Sequence, residues 1–140
     1  MNQNSISTRV SEITISYLDS NYKNKFQGAR MCLESYPVLR EESIKNIKGI
    51  YNAEELALLV FAHKGENLNG KDLAARRKFE VMIADYYEDN KDLHITVDFA
   101  DFIGRVRKLG CMERFVLREL TYGVCTNPTI SDEIINYLSE

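Results

Sequence analysis

Apolar side chains recur every three to four positions along most of this chain, which is the spacing of one face of an α-helix. Few residues interrupt the pattern, because the 140 residues include only two prolines, Pro37 and Pro128, and seven glycines. Proline and glycine are the residues that most disfavour a helix interior. The sequence therefore predicts an all-α fold, a compact bundle of seven or eight helices.

Three helices are predicted in the first part of the chain. One begins near Ser5, a second covers 22–37, and a short third covers 40–48. Pro37 is expected to end the second helix, because the residue before a proline is pushed out of the α region. The side chains expected to face inward are Ile6, Val10, Ile13, Tyr17 and Leu18, then Tyr22, Phe26, Ala29, Leu33 and Tyr36, then Ile44 and Ile47.

The next helices are marked by a cap and by a long apolar stripe. Asn52, with Glu55 three positions later, forms a capping-box pattern. The segment 56–61 is apolar on every face, which is typical of a helix in the middle of a bundle. A longer helix is predicted over 71–88. Its inward side chains are Phe79, Met82, Ile83, Tyr86 and Tyr87.

Three further helices complete the predicted bundle: one after Asp98, one over 112–121 and one after Pro128. Residues 93–97 alternate weakly and could be extended, but a lone strand has no partner in this chain. The candidate caps are Asp98 for the first of these helices and Thr129 or Ser131 for the last. The inward side chains are Phe99, Phe102, Ile103, Val106, Leu109, Phe115, Val116, Leu120, Ile134, Ile135 and Leu138.

The length fits one domain, and no repeat, low-complexity tract or linker divides the chain. We expect a single helical domain over 1–140, with residues 1–4 as a candidate disordered start. The cysteines are odd in number and far apart, which favours reduced thiols and a cytoplasmic location. They are Cys32, Cys111 and Cys125. No apolar run approaches the roughly 20 residues of a membrane-spanning helix, and the N-terminus lacks a signal-peptide pattern, so no membrane partner is expected.

The motifs of common catalytic sites are missing from the sequence. It contains no phosphate-binding loop, no dinucleotide-binding glycine pattern, no nucleophile-elbow serine and no C-x-x-C pair. His63 and His94 are the only histidines, and neither has metal-ligand spacing to another strong ligand. We therefore expect a protein that is not an enzyme, with no catalytic residue, no metal and no cofactor.

Two weaker candidates for chemistry have structural interpretations that we favour. His94, Asp98 and Asp101 could face one way and hold a metal, but a cap and a solvated face explain them more simply. Cys111 follows Gly110 and opens a helix, where a thiol is most easily activated. A small buried apolar residue is the favoured interpretation of Cys111.

A helix-turn-helix motif is an alternative hypothesis for the segment 104–120. Its second helix would present Arg114, Leu117 and Arg118 outward. The candidate nucleic-acid-binding residues are Arg105, Arg107, Lys108, Arg114 and Arg118. Arg105 and Glu119 fall where this motif needs apolar side chains, and the chain has a net charge of −3. Nucleic acid is therefore the less favoured partner.

Charge is distributed unevenly around the long predicted helix. Segment 71–78 has a net charge of +3, and segment 80–101 has a net charge of −6. Clustered carboxylates with tyrosines among them can occupy a basic groove of another protein. The predicted partner-binding residues are Asp85, Tyr86, Tyr87, Glu88, Asp89 and Asp92. A solvated helix face is the alternative explanation of this segment.

Two stretches carry a resemblance to other proteins: residues 51–59 (YNAEELALL) and the acidic segment 85–92. With them, the short, acidic chain, rich in Asn, Lys, Ile, Glu and Tyr, resembles the small helical accessory proteins of phages and mobile elements. Anti-CRISPR inhibitors are one such group. The resemblance implies that the chain binds a larger protein or ribonucleoprotein of the host and blocks it without catalysis. A homodimer, formed through an apolar stripe on the first or last helix, remains open.

Overall fold

The computed structural model describes residues 10–68, 70–127, 129 and 131–140, without the side chains of 70, 71 and 131. Within these ranges the chain forms eight α-helices, short 3-10 turns and no strand, which confirms the predicted all-α fold class. Four of the sequence-based expectations lie outside the described residues. They are the helix start near Ser5, the inward position of Ile6, the candidate disordered start at 1–4 and the chain break at Pro128.

The helices are α1 (Glu12–Asn21), α2 (Lys25–Ile47), α3 (Ala53–Ala62), α4 (Gly70–Ala74), α5 (Arg76–Asp89), α6 (Phe99–Lys108), α7 (Cys111–Thr126) and α8 (Ser131–Ser139). A 3-10 helix, Lys91–Leu93, follows α5. The chain divides into two compact units, the first ending at Val38 and the second beginning at Leu39. The expected single domain over 1–140 stays a prediction. None of the described helices is long and apolar enough to cross a membrane.

In the first unit, α1 begins at a side-chain cap and the start of α2 lies under an aromatic ring. The Ser11 hydroxyl accepts a hydrogen bond from the Thr14 amide at 3.3 Å. Gly28 is buried, and a Cβ added there would lie 2.5 Å from Cδ2 of Tyr22. Leu18 is the buried side chain of α1. The contact of Tyr22 with Gly28 therefore requires a residue without a side chain.

The predicted inward direction of the apolar stripes in the first unit is confirmed for Leu18 and wrong for most of the other side chains. Ile13 is 80% exposed and Phe26 is 76% exposed, although both lie at the helical spacing expected of a buried face. The unit has too few elements to cover its own apolar side chains. The large apolar side chains left exposed are Val10, Ile13, Ile15, Tyr17, Phe26, Met31, Leu33 and Val38.

The expected helix end at Pro37 is also wrong. Helix α2 runs through Pro37 to Ile47 and includes the predicted short helix over 40–48. Proline removes one main-chain donor, but helix formation is cooperative and the long flanking segments keep the helix intact. Ile47 is buried and Ile44 packs against the core, as predicted.

The core of the second unit is built around α3. Leu56, Leu58 and Leu59 are at most 1% exposed, and α3 packs against α5, α7 and α8. The predicted capping box is confirmed: the Glu55 amide donates to Asn52 Oδ1 at 2.8 Å, and the Asn52 amide donates to Glu55 Oε1 at 3.0 Å. A segment that is apolar all round therefore lies where it is covered on several sides.

The predicted helix over 71–88 is interrupted at one residue. Ala75 has extended backbone angles, so α4 ends at Ala74 and α5 begins at Arg76. Arg118 binds two carbonyl groups at this corner, as described below. The predicted inner face of α5 is confirmed: Phe79 and Ile83 are buried, and the other three side chains pack against the core. Residues 93–97 comprise the last residue of the 3-10 helix and a turn after it, without a strand.

The last three helices agree with the predicted stripes. The Asp98 side chain caps α6 by accepting a hydrogen bond from the Asp101 amide at 3.2 Å. In α8, Leu138 is buried, and Ile134 and Ile135 pack against the core. Of the two candidate caps of α8, Ser131 is its first residue and has a side chain outside the described set, while the Thr129 hydroxyl donates to Asn127.

Candidate functional site

Four of the six predicted partner-binding residues form one exposed patch, which we call the acidic surface. It consists of Asp85, Glu88 and Asp89 at the end of α5 and Asp92 in the 3-10 helix. Residues three and four apart lie on the same side of a helix, so the three carboxylates of α5 are neighbours. Asp92 follows three residues after α5 ends. Glu88 pairs with Lys91 at 2.9 Å. In the described part of the chain, the other three carboxylates make no ion pair.

The charges of α5 oppose its helix dipole at both ends. The first turn contains Arg76, Arg77 and Lys78 and no acid, and the last turn contains Glu88 and Asp89 and no base. The N-terminus of a helix favours negative charge and the C-terminus favours positive charge, by about 0.3–1 kcal/mol for each group. The charges of α5 are therefore not placed for helix stability, and such a violation of a local rule is characteristic of a functional surface.

Tyr86 and Tyr87, the other two predicted partner-binding residues, are half-buried beside the acidic surface, and their role as contact residues stays a prediction. The Tyr86 ring stacks on Phe61 with centroids 6.5 Å apart. The Tyr87 ring stacks on Phe99 at 4.4 Å. Burial raises the pKa of Tyr86. The two rings pack against the core and fix the end of α5, from which the neighbouring carboxylates project into solvent.

The segment predicted as a helix-turn-helix motif has different geometry. Only Leu109 and Gly110 separate α6 from α7, whereas the motif uses a turn of three or four residues. The predicted outward position of Arg114, Leu117 and Arg118 is wrong, since all three are at most 4% exposed. Helix α7 is central to the second unit, so this face of it packs inward.

Arg114 and Arg118 bind main-chain carbonyl groups of other segments. Arg114 Nη2 donates to the carbonyl of Leu109 at 3.0 Å, at the end of α6. Arg118 Nη1 donates to the carbonyls of Asp72 at 2.6 Å and Ala75 at 2.9 Å, at the corner between α4 and α5. These arginines are positioning residues of the fold. Arg114 supplies a donor to a carbonyl at the end of α6, and Arg118 joins the two helix ends that meet at Ala75.

Arg105 is also committed to partners within the second unit. Its guanidinium pairs with Glu55, which is 4% exposed, and with Asp101 at 2.9 Å. It also donates to the carbonyl of Ile50 at 2.7 Å. Of the five predicted nucleic-acid-binding residues, only Arg107 and Lys108 are exposed. Of these two, Arg107 lies 3.4 Å from a carboxylate oxygen of Glu80.

A buried polar cluster that the sequence analysis missed lies beside α7. His63 Nε2 is 2.9 Å from Thr121 Oγ1, and His63 Nδ1 is 3.5 Å from Glu66 Oε2. Arg118 Nη2 is 3.9 Å from the same Glu66 oxygen. Burial, and then the charge of Arg118, lower the pKa of His63 to about 4. The signal in the sequence was His63 with Glu66 three residues later, directly after the most apolar helix.

This cluster has the order hydroxyl, imidazole, carboxylate, which is the order of a nucleophile, a general base and an orienting acid. Its hydroxyl is enclosed, because Thr121 is 3% exposed and its Oγ1 donates to the carbonyl of Leu117 at 2.9 Å. A substrate has no access to a hydroxyl in that position. The cluster therefore positions the loop after α3 and is not a site for a nucleophilic reaction.

The structure does not bring the weaker metal candidates together. His94 is 5% exposed and packs beside Tyr86, Asp98 caps α6, and Asp101 pairs with Arg105. Among the described residues, no three His, Cys, Asp or Glu side chains could share a metal ion. The candidate metal ligands have separate structural roles.

Cys111 opens α7, as predicted, but the favoured interpretation of it as a buried residue is wrong. Its side chain is exposed, and all three cysteines are free thiols. Cys111 lies at the edge of a cavity of about 40 Å³ that Arg114 and Phe79 also line. That volume has room for only a few water molecules.

The acidic surface therefore remains the candidate functional site. Two aromatic stacks fix the helix end that carries it, and its charges do not stabilise α5. No protein-family model, no curated protein and no solved structure matches this chain.

Proposed function

We propose that this protein is a non-enzymatic interaction protein of the cytoplasm, which binds a basic groove of a larger protein or ribonucleoprotein through the acidic surface. The observation that carries the proposal is the group of exposed carboxylates at the end of α5, of which Asp85, Asp89 and Asp92 have no ion-pair partner among the described residues. Blocking of the partner is the expected effect, as in the anti-CRISPR inhibitors of phages that the chain resembles.

The geometry favours a partner-binding role for the acidic surface over its being only a solvated helix face. Tyr86 and Tyr87 hold the backbone of the helix end in place, so the main chain that carries the acidic surface need not be ordered when a partner binds. Carboxylates without internal partners can form new charge-assisted hydrogen bonds with lysine or arginine. A row of carboxylates also attracts a basic groove over a distance and can compete there with nucleic acid.

The alternative of a DNA-binding regulator has less support. Arg105, Arg114 and Arg118 bind carboxylate or carbonyl oxygens within the second unit, so they cannot reach phosphates without breaking those contacts. Arg107 and Lys108 alone would neutralise too few phosphates for tight binding. We therefore propose the protein-binding function and treat duplex DNA as a test.

The test is a charge reversal with a matched control. The variant Asp85→Lys/Asp89→Lys should lose the basic partner that the wild-type chain captures from cells of its source, identified by mass spectrometry. The control Glu41→Lys/Glu42→Lys reverses two neighbouring exposed carboxylates elsewhere in the second unit and changes the net charge equally. It should retain the partner.

Affinity for the recovered partner is then measured by calorimetry with each purified variant. We expect a loss of at least about 100-fold for the reversal on α5 and a change of less than about 3-fold for the control. Equal binding by both variants, with helicity unchanged, would show that the acidic surface is not the interface.

A further inference from the structure

A small cavity of the second unit lies where the starts of two helices meet. Its wall includes Ala75 and Arg76, at the start of α5, and Cys111, the first residue of α7. The buried Arg114 and Phe79 also line it. Both charged side chains of the lining are arginines, and no carboxylate of the described residues belongs to it. The charge of the lining therefore favours an anion.

Neither helix start at this cavity has a side-chain cap among the described residues. The N-cap residues are Ala75 for α5 and Gly110 for α7, and neither makes a side-chain hydrogen bond to the first turn. The first N–H groups of a helix have no acceptor within the helix, and anions bind there for this reason. In α5 the first turn also contains bases and no acid, which opposes the helix dipole. A bound anion would offset that charge.

The carboxylate of Glu113, in the first turn of α7, lies over the N-cap residue of that helix. A Cβ added at Gly110 would be 2.6 Å from Glu113 Oε2. The other oxygen, Oε1, accepts a hydrogen bond from Asn46 Nδ2 at 3.1 Å, and Glu113 is not part of the cavity lining. The start of α5 is therefore the more open of the two helix starts.

Arg114 has a buried donor without a partner. Its side chain is 4% exposed, and its Nη2 donates to the carbonyl of Leu109 at 3.0 Å. Its Nε is buried and has no hydrogen-bond partner in the described part of the chain. A buried charged donor that lacks an acceptor is costly. Since Arg114 lines the cavity, an oxygen of a ligand bound there is the acceptor that this guanidinium lacks.

We propose that this cavity binds the phosphate group of a small ligand. A volume of about 40 Å³ has room for a group of this size, and the rest of the ligand would stay outside. Guanidinium groups form forked, charge-assisted hydrogen bonds with phosphate oxygens. Arg76 binds the phosphate from the exposed side of the cavity and Arg114 from the buried side. The acidic surface lies at the other end of α5, so the inference goes beyond the proposed function and does not depend on it.

Cys111 reports on the occupancy of the cavity, because its exposed thiol lines it. The full chain is alkylated with iodoacetamide at constant ionic strength while inorganic phosphate replaces chloride, and mass spectrometry follows each cysteine separately. Alkylation of Cys111 should slow in a saturable way, by about 10-fold once phosphate reaches roughly ten times the Kd that the curve gives. Cys32, an exposed thiol of the first unit, is the internal control and should react at an unchanged rate.

Phenyl phosphate in place of inorganic phosphate distinguishes the two sources of the group. Stronger protection of Cys111 by phenyl phosphate identifies an organic phosphate as the ligand, and equal protection identifies free phosphate. No protection by either compound at up to about 50 mM would overturn the inference. Equal slowing at Cys32 would overturn it as well.

A pair of neighbouring arginines provides the matched variants. Arg76→Gln removes a guanidinium from an exposed position, so the fold should be retained. It should raise the Kd for phosphate by about 10-fold or more. Arg77→Gln makes the same change of charge at an exposed residue that does not line the cavity, and it should raise the Kd by less than about 3-fold. Equal losses of affinity in the two variants would exclude the cavity as the site.

Discussion

Three arginines of the second unit bind main-chain carbonyls instead of solvent. Arg105 binds the carbonyl of Ile50, Arg114 binds that of Leu109, and Arg118 binds that of Asp72. The planar guanidinium has five donors and no acceptor, which suits it to a group of carbonyl oxygens at a helix end. In the sequence, such an arginine looks the same as one that faces a phosphate.

Arg118→Ala should lower the free energy of unfolding by about 3–5 kcal/mol. Arg118 is fully buried, and its loss leaves two carbonyls and the Glu66 carboxylate without their cationic partner. Urea denaturation followed by circular dichroism measures the change. Arg107→Ala, at a side chain that is 60% exposed, is the matched control and should change the stability by less than about 0.5 kcal/mol. Similar losses for the two variants would contradict this assignment.

Because of His63, the free energy of unfolding of the second unit should depend on pH. The folded chain holds the pKa of His63 at about 4, while an unfolded chain has the ordinary value of about 6.5. As the pH falls below 6.5, the unfolded chain takes up this proton first. The stabilisation is therefore complete above pH 6.5 and is lost progressively towards pH 4, by roughly 3 kcal/mol in total.

The measurement is the free energy of unfolding in urea at several pH values from 7 to 4. His63→Gln keeps a polar group near Thr121 but cannot take up the proton, so its stability should fall less steeply over this range. The difference between the two curves isolates His63 from the carboxylates. Parallel curves for the wild type and the variant would exclude His63 as the cause.

At the scale of the element, α5 is a helix whose charges reduce its own stability. Its bases lie in the first turn and its acids in the last, against the helix dipole. Its position is held by packing instead, through the buried Phe79 and Ile83 and the two stacked tyrosines. An element of this kind can carry a charged surface only because the core keeps it folded.

Asp89→Lys should therefore stabilise the protein while it weakens partner binding. Replacing an acid by a base at the end of α5 removes an unfavourable interaction with the dipole, which is worth about 0.5–1 kcal/mol at low salt. Thermal and urea unfolding at low and high salt measure the gain, which should shrink as salt is added. A variant that is less stable than the wild type would contradict the proposed conflict between charge and dipole.

At the scale of the whole molecule, most helices could be predicted, but their surroundings could not. The capping box at Asn52 and the apolar segment after it identified α3, because both signals are local. The exposure of Ile13 and Phe26 could not be predicted, since an apolar stripe shows which side of a helix is apolar and not what covers that side. The burial of Arg118 could not be predicted either, because its hydrogen-bond partners lie more than 40 residues away in the sequence.

The candidate site was predicted in part, for the same reason. The carboxylates of the acidic surface are adjacent in sequence, so a simple count of charges located them. The roles of Tyr86 and Tyr87 depend on Phe61 and Phe99, which come from other helices, and no local pattern indicates those contacts. The cluster around His63 likewise includes side chains of α7, and no local pattern near His63 indicates those contacts.

The whole chain should bind duplex DNA weakly. Only Arg107 and Lys108 of the predicted set are exposed, and the chain has a net charge of −3. With about two phosphate contacts, the slope of log affinity against log salt should be no steeper than about −2. Fluorescence anisotropy with a labelled duplex at increasing salt measures this slope. A much steeper slope, lost in Arg107→Ala/Lys108→Ala, would restore the DNA-binding hypothesis.

The corner at Ala75 has an evolutionary consequence. If residues 70–89 formed one straight rod, the two carbonyls that Arg118 binds would point along the helix axis and would no longer converge on the guanidinium. The bend and the buried arginine therefore depend on each other. Descendants of this sequence should keep an arginine at position 118 for as long as the chain bends at position 75.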